Sequence, residues 1–144
     1  MKQTHLDKLE ALFTLLHHNS ELYHNSTPAQ KQFIETTFGA ALFYMPKSKK
    51  ENFTGYISEE ALLHPEKRCE EHHYPRKWAA QQLLTTPPVS VDELQKLLTK
   101  FLSYNYTTKE ENRKLVPFQK VGVFVSPEHS YSEANIKLVK VSNL

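Results

Sequence analysis

Proline placement is what most constrains this chain. A proline fixes φ and lacks a backbone donor, so a helix can start at one but not run through it. Thr27-Pro28, Pro46, Pro65, Pro75 and Pro87-Pro88 therefore cut the sequence into short segments. Ahead of the first cut, Leu6, Leu9, Leu12, Phe13 and Leu16 recur at helical spacing and predict an amphipathic helix over residues 5–18. Thr27 as cap and Pro28 in the first turn open a second helix. Phe33, Ile34, Phe38, Ala41 and Leu42 carry it to about Tyr44. Pro46 ends it, and Pro46 to Asn52 reads as a charged loop.

The next segments are shorter. Phe53 to Ile57 reads as a short strand or a turn, and Ser58-Glu59-Glu60 caps a one- or two-turn helix to Leu63. Lys67 to Pro75 is expected to be extended, because Tyr74 precedes a proline and is pushed out of helical geometry. Pro75 suits the start of a helix carrying Trp78, Ala79, Ala80, Leu83 and Leu84. Ser90 with Glu93 forms a capping box for a helix whose apolar face is Leu94, Leu97, Leu98, Phe101 and Leu102. Thr107 or Thr108 caps a further short helix from Lys109 to Leu115. Val121 to Val125 reads as the clearest strand, and Tyr131 to Val141 as a final one through Ile136, Leu138 and Val141. The expectation is an α+β fold, one domain over 1–144, with residues 1–60 mainly helical and a small mixed C-terminal half.

Composition narrows the function classes. Three glycines exclude collagen-like and Gly-rich linker readings. No apolar run approaches a membrane span, and Met1 to His5 leads into an amphipathic pattern instead of a signal-peptide core. A single cysteine, Cys69, excludes a disulfide framework and any zinc site needing two or more thiolates from this chain. It fits a reducing, cytoplasmic setting. The net charge of +2 is too small to argue for nucleic acid by itself. The distribution says more: Lys47, Lys49 and Lys50, then Lys67 and Arg68, Arg76 and Lys77, and Arg113 and Lys114 form four basic clusters that can hold phosphates.

Three of those clusters flank Glu71-His72-His73-Tyr74-Pro75-Arg76 or Asn112. A carboxylate is a suitable hard ligand for Mg2+ and a neutral histidine a suitable base. A divalent cation with an imidazole base can activate water and stabilise both oxygens of a phosphodiester under attack. The segment resembles the first half of the HNH (ββα-metal) nuclease signature, an acidic residue and histidine with proline three residues after the histidine. Thr107 to Leu115, with Asn112 at its centre, resembles the family's Asn-containing segment. The resemblance covers about residues 66–120. Asn112 follows His72 by 40 residues, a spacing that the Ser90 to Leu102 helix would fill as an insertion. The family's last histidine has no counterpart, and Lys120 stands near its place.

The resemblance implies a ββα-metal-like C-terminal half over 61–144 that cleaves DNA with Mg2+ or Mn2+. Glu71 would be a metal ligand, His72 the general base, and Asn112 the second ligand or a brace for the base. His73, Arg76, Lys77, Arg113, Lys114, Lys49 and Lys50 would contact phosphates, and a homodimer would match a symmetric target. Strand alternation keeps a different pairing open, because it would put Glu71 with His73. Two other readings of the same residues remain. One is a nucleic-acid-binding module without catalysis, using Tyr104, Tyr106 and Phe118 as contacts. The other is a metal-free RNase or toxin using histidine with lysine or arginine.

Overall fold

The computed structural model describes residues 2–45 and 49–142, with the Lys49 side chain outside that set. In chain order the elements are α1 (Gln3–His24), α2 (Pro28–Phe43), α3 (Lys49–Asn52), β1 (Phe53–Ser58), α4 (Glu59–Leu63) and β2 (Arg68–His72). After them come α5 (Arg76–Thr85), α6 (Val91–Phe101), β3 (Tyr104–Thr108), α7 (Lys109–Leu115), α8 (Pro127–Glu133) and β4 (Leu138–Lys140). The fold is α+β with a helical N-terminal half, as expected. No helix among the described residues is long and apolar enough to cross a membrane.

The chain divides into two compact units, and each is discontinuous in sequence: Met1–Lys47 with Arg76–Phe101, and Ser48–Pro75 with Leu102–Leu144. The helical residues 76–101 join the N-terminal helices in one unit, and the sheet is built from the segments on either side of them.

The helical unit is an apolar core. Leu9, Leu12 and Leu16 of α1, Ala79, Ala80, Leu83 and Leu84 of α5, and Leu94 and Leu98 of α6 are all buried. Truncating one such leucine costs about 2–5 kcal/mol. Gly39 lets α2 lie close to α5, since a Cβ there would sit 3.4 Å from the Arg76 carbonyl. The first helix runs to His24, six residues beyond the expected end. Tyr23 explains the extension: it is buried and donates a 2.6 Å hydrogen bond to buried Glu35 on α2. A tertiary contact thus holds the last turns, which the leucine spacing alone does not specify.

The second unit carries a mixed four-stranded sheet in the order β2-β3-β1-β4. The β2–β3 and β1–β4 pairs are antiparallel, and β1–β3 is parallel. Val121 to Val125 is not a strand. The Val123 and Phe124 amides both bond the Lys120 carbonyl, Gly122 has φ +82°, and Val121, Val123 and Val125 are exposed. Alternating valines favour a strand only where a neighbouring strand and a burying face exist, and here turn geometry prevails. Tyr131 belongs to α8, capped by Ser126, and the final strand is only Leu138–Lys140. The loop expected from Pro46 to Asn52 gives way to α3 from Lys49, while Pro46–Ser48 lie outside the described residues.

Candidate functional site on β2 and β3

Strand β2 fixes the geometry of the motif. Its register against β3 pairs Arg68 with Thr108, Cys69 with Thr107, Glu70 with Tyr106, Glu71 with Asn105 and His72 with Tyr104. Successive side chains point to opposite faces. Cys69, Glu71 and, just past the strand, His73 share one face; Arg68, Glu70 and His72 share the other. The Glu71–His72 pair implied by the HNH resemblance is therefore split across the sheet, and Glu71 lies with His73.

The Glu71 face is a buried polar layer. Tyr131 donates a short hydrogen bond to one Glu71 oxygen, and Gln119 Nε2 donates to the other at 2.7 Å. Asn105, only 2% exposed, donates from Nδ2 to the Tyr131 hydroxyl at 3.1 Å and to His73 Nδ1 at 2.8 Å. Thr54 donates to Asn105 Oδ1, and His73 Nε2 lies 2.7 Å from Ser103 Oγ. With Nδ1 accepting, Nε2 carries the proton and donates to Ser103. Burial pushes the His73 imidazole down to about 4, with Glu128 opposing and His72 adding to the shift. Burial raises the Glu71 carboxyl above the usual range, although its two hydrogen bonds pull the other way. Burial and the neighbouring Glu71 raise the Tyr131 phenol as well.

Asn112, in α7, accepts a short hydrogen bond from Thr107 and donates to Cys69 Sγ at 3.2 Å. Thr108 caps α7 in a reciprocal box with Glu111, whose buried carboxylate also takes a 2.5 Å bond from Ser58. Two oxygen ligands for a hard cation must point their lone pairs at one place. Both Glu71 oxygens and Asn112 Oδ1 are instead turned to protein donors. Among the described residues no three His, Cys, Asp or Glu side chains gather as metal ligands. The donor set of Glu71 and Asn112 does not fit Mg2+ or Mn2+.

The other face of β2 is more open. His72 and Glu70 are 26% and 30% exposed, and His72 Nε2 lies 3.9 Å from the Glu70 carboxylate. The His72 Nδ1–H donates to the Leu102 carbonyl at 3.2 Å. Arg68 lies over the Tyr106 ring and donates to the Ala61 carbonyl, while its buried Nε has no hydrogen-bond partner. Phe53, Tyr104 and Tyr106 form one ring cluster there, with His72 5.6 Å from Tyr104.

The remaining basic positions are dispersed. Arg76 and Lys77 start α5 in the helical unit, and Arg76 is set over the Phe43 ring. Burial lowers the Arg76 guanidinium from its ordinary value. Arg113 and Lys114 are exposed in the last turn of α7. Lys50 is exposed in α3, and Lys49 precedes it there.

Sequence reading missed Asn105, Tyr131, Ser103 and Gln119. Alternation of Tyr104 and Tyr106 with Asn105 and Thr107 was the available signal for β3, but Asn105 and Thr107 are as buried as Tyr104, so burial does not follow the polar–apolar pattern. No protein-family model, curated protein or solved structure matches this chain.

Proposed function

We propose that this protein binds nucleic acid and hydrolyses its phosphodiester bonds, with His72 as general base on the open face of β2 and β3. One observation carries the reading: the His72 Nδ1–H bond to the Leu102 carbonyl sets the tautomer in which Nε2 is the basic nitrogen, on a half-exposed face. Glu70 beside Nε2 stabilises the imidazolium formed when water gives up its proton. Arg68, lying over the Tyr106 ring, supplies positive charge on this face. Four residues along the strand, at ~3.3 Å each, put it about 13 Å from His72, so it holds a neighbouring phosphate and not the one attacked. DNA is the substrate class that the HNH resemblance implies, and a two-fold dimer the assembly. No step of this reading passes through a metal ion. If Mg2+ or Mn2+ takes part, Glu70 is the carboxylate on the His72 face for it.

The half-exposed Phe53 and Tyr106 rings favour a second reading, binding without cleavage, because aromatic side chains stack on bases; Tyr104 is buried beneath them and is not a contact. Plasmid and single-stranded oligonucleotides incubated with Mg2+, Mn2+ or EDTA separate the two. Cleavage lost in His72→Ala supports the hydrolase. Binding with no cleavage under any of the three conditions sinks it and leaves the second reading. Cleavage kept by His72→Ala but lost in His73→Ala moves the base to the other face.

A further inference from the structure

The buried face of the sheet holds groups that a His72 mechanism leaves unused. Ser103 Oγ lies 2.7 Å from His73 Nε2, and Asn105 holds the other ring nitrogen, Nδ1, at 2.8 Å. A hydroxyl, an imidazole within hydrogen-bond reach and a third group orienting that imidazole make up an activated nucleophile. All three belong to the sheet unit, on β3 and the turns entering and leaving the paired strands. Asn105 is itself fixed by Thr54 and Tyr131, so the orienting group is held from two further directions. Ser103 is half-buried, whereas Asn105 and His73 are buried, so the serine is the outermost member.

We propose that Ser103, His73 and Asn105 form a second, acyl-transfer site that takes carboxylic esters. Ser103 Oγ attacks the ester carbonyl carbon and its proton passes to His73 Nε2. The bond to the alcohol oxygen then breaks, and the leaving alcohol takes that proton. Water, deprotonated by the same nitrogen, releases the acid and restores Ser103. The relay runs in this direction when the Asn105 amide presents Oδ1 to His73, making Nδ1 the donor and Nε2 the acceptor. In the structure Nδ2 holds that place. Turning the amide exchanges the two atoms and keeps their positions: Thr54 Oγ1 has a lone pair to receive Nδ2, and the Tyr131 hydroxyl, which now accepts from Nδ2 and donates to Glu71, must turn to donate to Oδ1. This site is independent of the His72 reading.

The test is covalent labelling of the intact protein with a fluorophosphonate, followed by mass mapping. The expected result is one adduct, on Ser103, absent from Ser103→Ala and at least about tenfold slower to form in His73→Gln. No adduct on Ser103 in the folded wild-type chain overturns the proposal, as does labelling undiminished by His73→Gln. The double variant Glu71→Gln with Asn105→Asp keeps one buried carboxylate but moves it beside His73. A carboxylate can only accept from Nδ1–H, so labelling should rise about tenfold or more. An unchanged rate in a folded double variant counts against the role of Asn105 and overturns the triad.

Discussion

His72 and His73 are chemically identical neighbours with opposite surroundings. His73 is enclosed by Asn105 and Ser103, its ring kept neutral by burial. His72 lies one residue earlier on the half-exposed face, next to Glu70 and tethered through Nδ1 to a backbone carbonyl. One step along a strand therefore changes a residue from a member of a buried network into a candidate base at the surface. The lesson is that a dipeptide such as His-His has no function of its own. The pleat assigns one histidine to each side, and what the partner strand places opposite decides the chemistry.

The largest separation of the two faces is expected in activity. His72→Ala should lower phosphodiester cleavage by about 10²–10⁴-fold, with thermal unfolding nearly unchanged. Equal loss of cleavage and of melting temperature would erase the distinction between the faces. Next in size is Asn105→Ala, which removes the partner of His73, Tyr131 and Thr54 together. About 3 kcal/mol or more of stability should be lost in urea unfolding, since each buried group left unpaired costs about 1–3 kcal/mol.

The pH dependence of stability comes third. His73 has its folded pKa lowered to about 4, below the ordinary 6.5 of the unfolded chain. Between those values the unfolded state binds the extra proton. Stability is therefore full above about 6.5 and falls as pH drops toward about 4, by up to about 3 kcal/mol. Glu71 acts in the opposite sense: its folded pKa is raised above 4.5, so its contribution is full below that value and is lost as pH rises through the raised pKa. Glu128, which favours charged His73, and His72, which opposes it, are the other charges acting on this ring. Urea midpoints measured from pH 7 to 4 should fall for the wild type and flatten in His73→Gln. A wild-type profile without that fall would mean that His73 is not enclosed. Smallest of all, Glu70→Gln on the open face should change stability by less than about 0.5 kcal/mol. A loss of several kcal/mol would show that face to be covered as tightly as the other.

Helix limits marked by prolines and caps were legible in the sequence, because those signals are local. Thr27-Pro28, Ser58 and the helix from Lys109 to Leu115 stand where the residues place them, with Thr108, one of the two candidate caps, as its N-cap. The strand over Arg68–His72 followed from the proline after Tyr74. Harder to read were features decided by distant partners. Tyr104–Thr108 is a strand because β1 and β2 flank it. Val121 to Val125 carries stronger β-forming residues but has no strand beside it. Of the site, Glu71, His72 and His73 were visible as a motif, and their division between faces was available from alternation. The Asn105 and Tyr131 contacts were not, since residues 32 and 60 positions away are brought together only by the fold.

The interleaving of the two units has a consequence during synthesis. Helices α1 and α2 leave the ribosome first, but α5 and α6, which complete their unit, end at Phe101. From Phe43 to Phe101 is 101 − 43 = 58 residues, or roughly 3–12 s at translation rates of about 5–20 residues per second. For that interval Leu9, Leu12 and Leu16 lack the helices that later cover them. A nascent chain stalled near residue 75 would carry both halves of the protein begun and neither closed, a natural substrate for a holding chaperone.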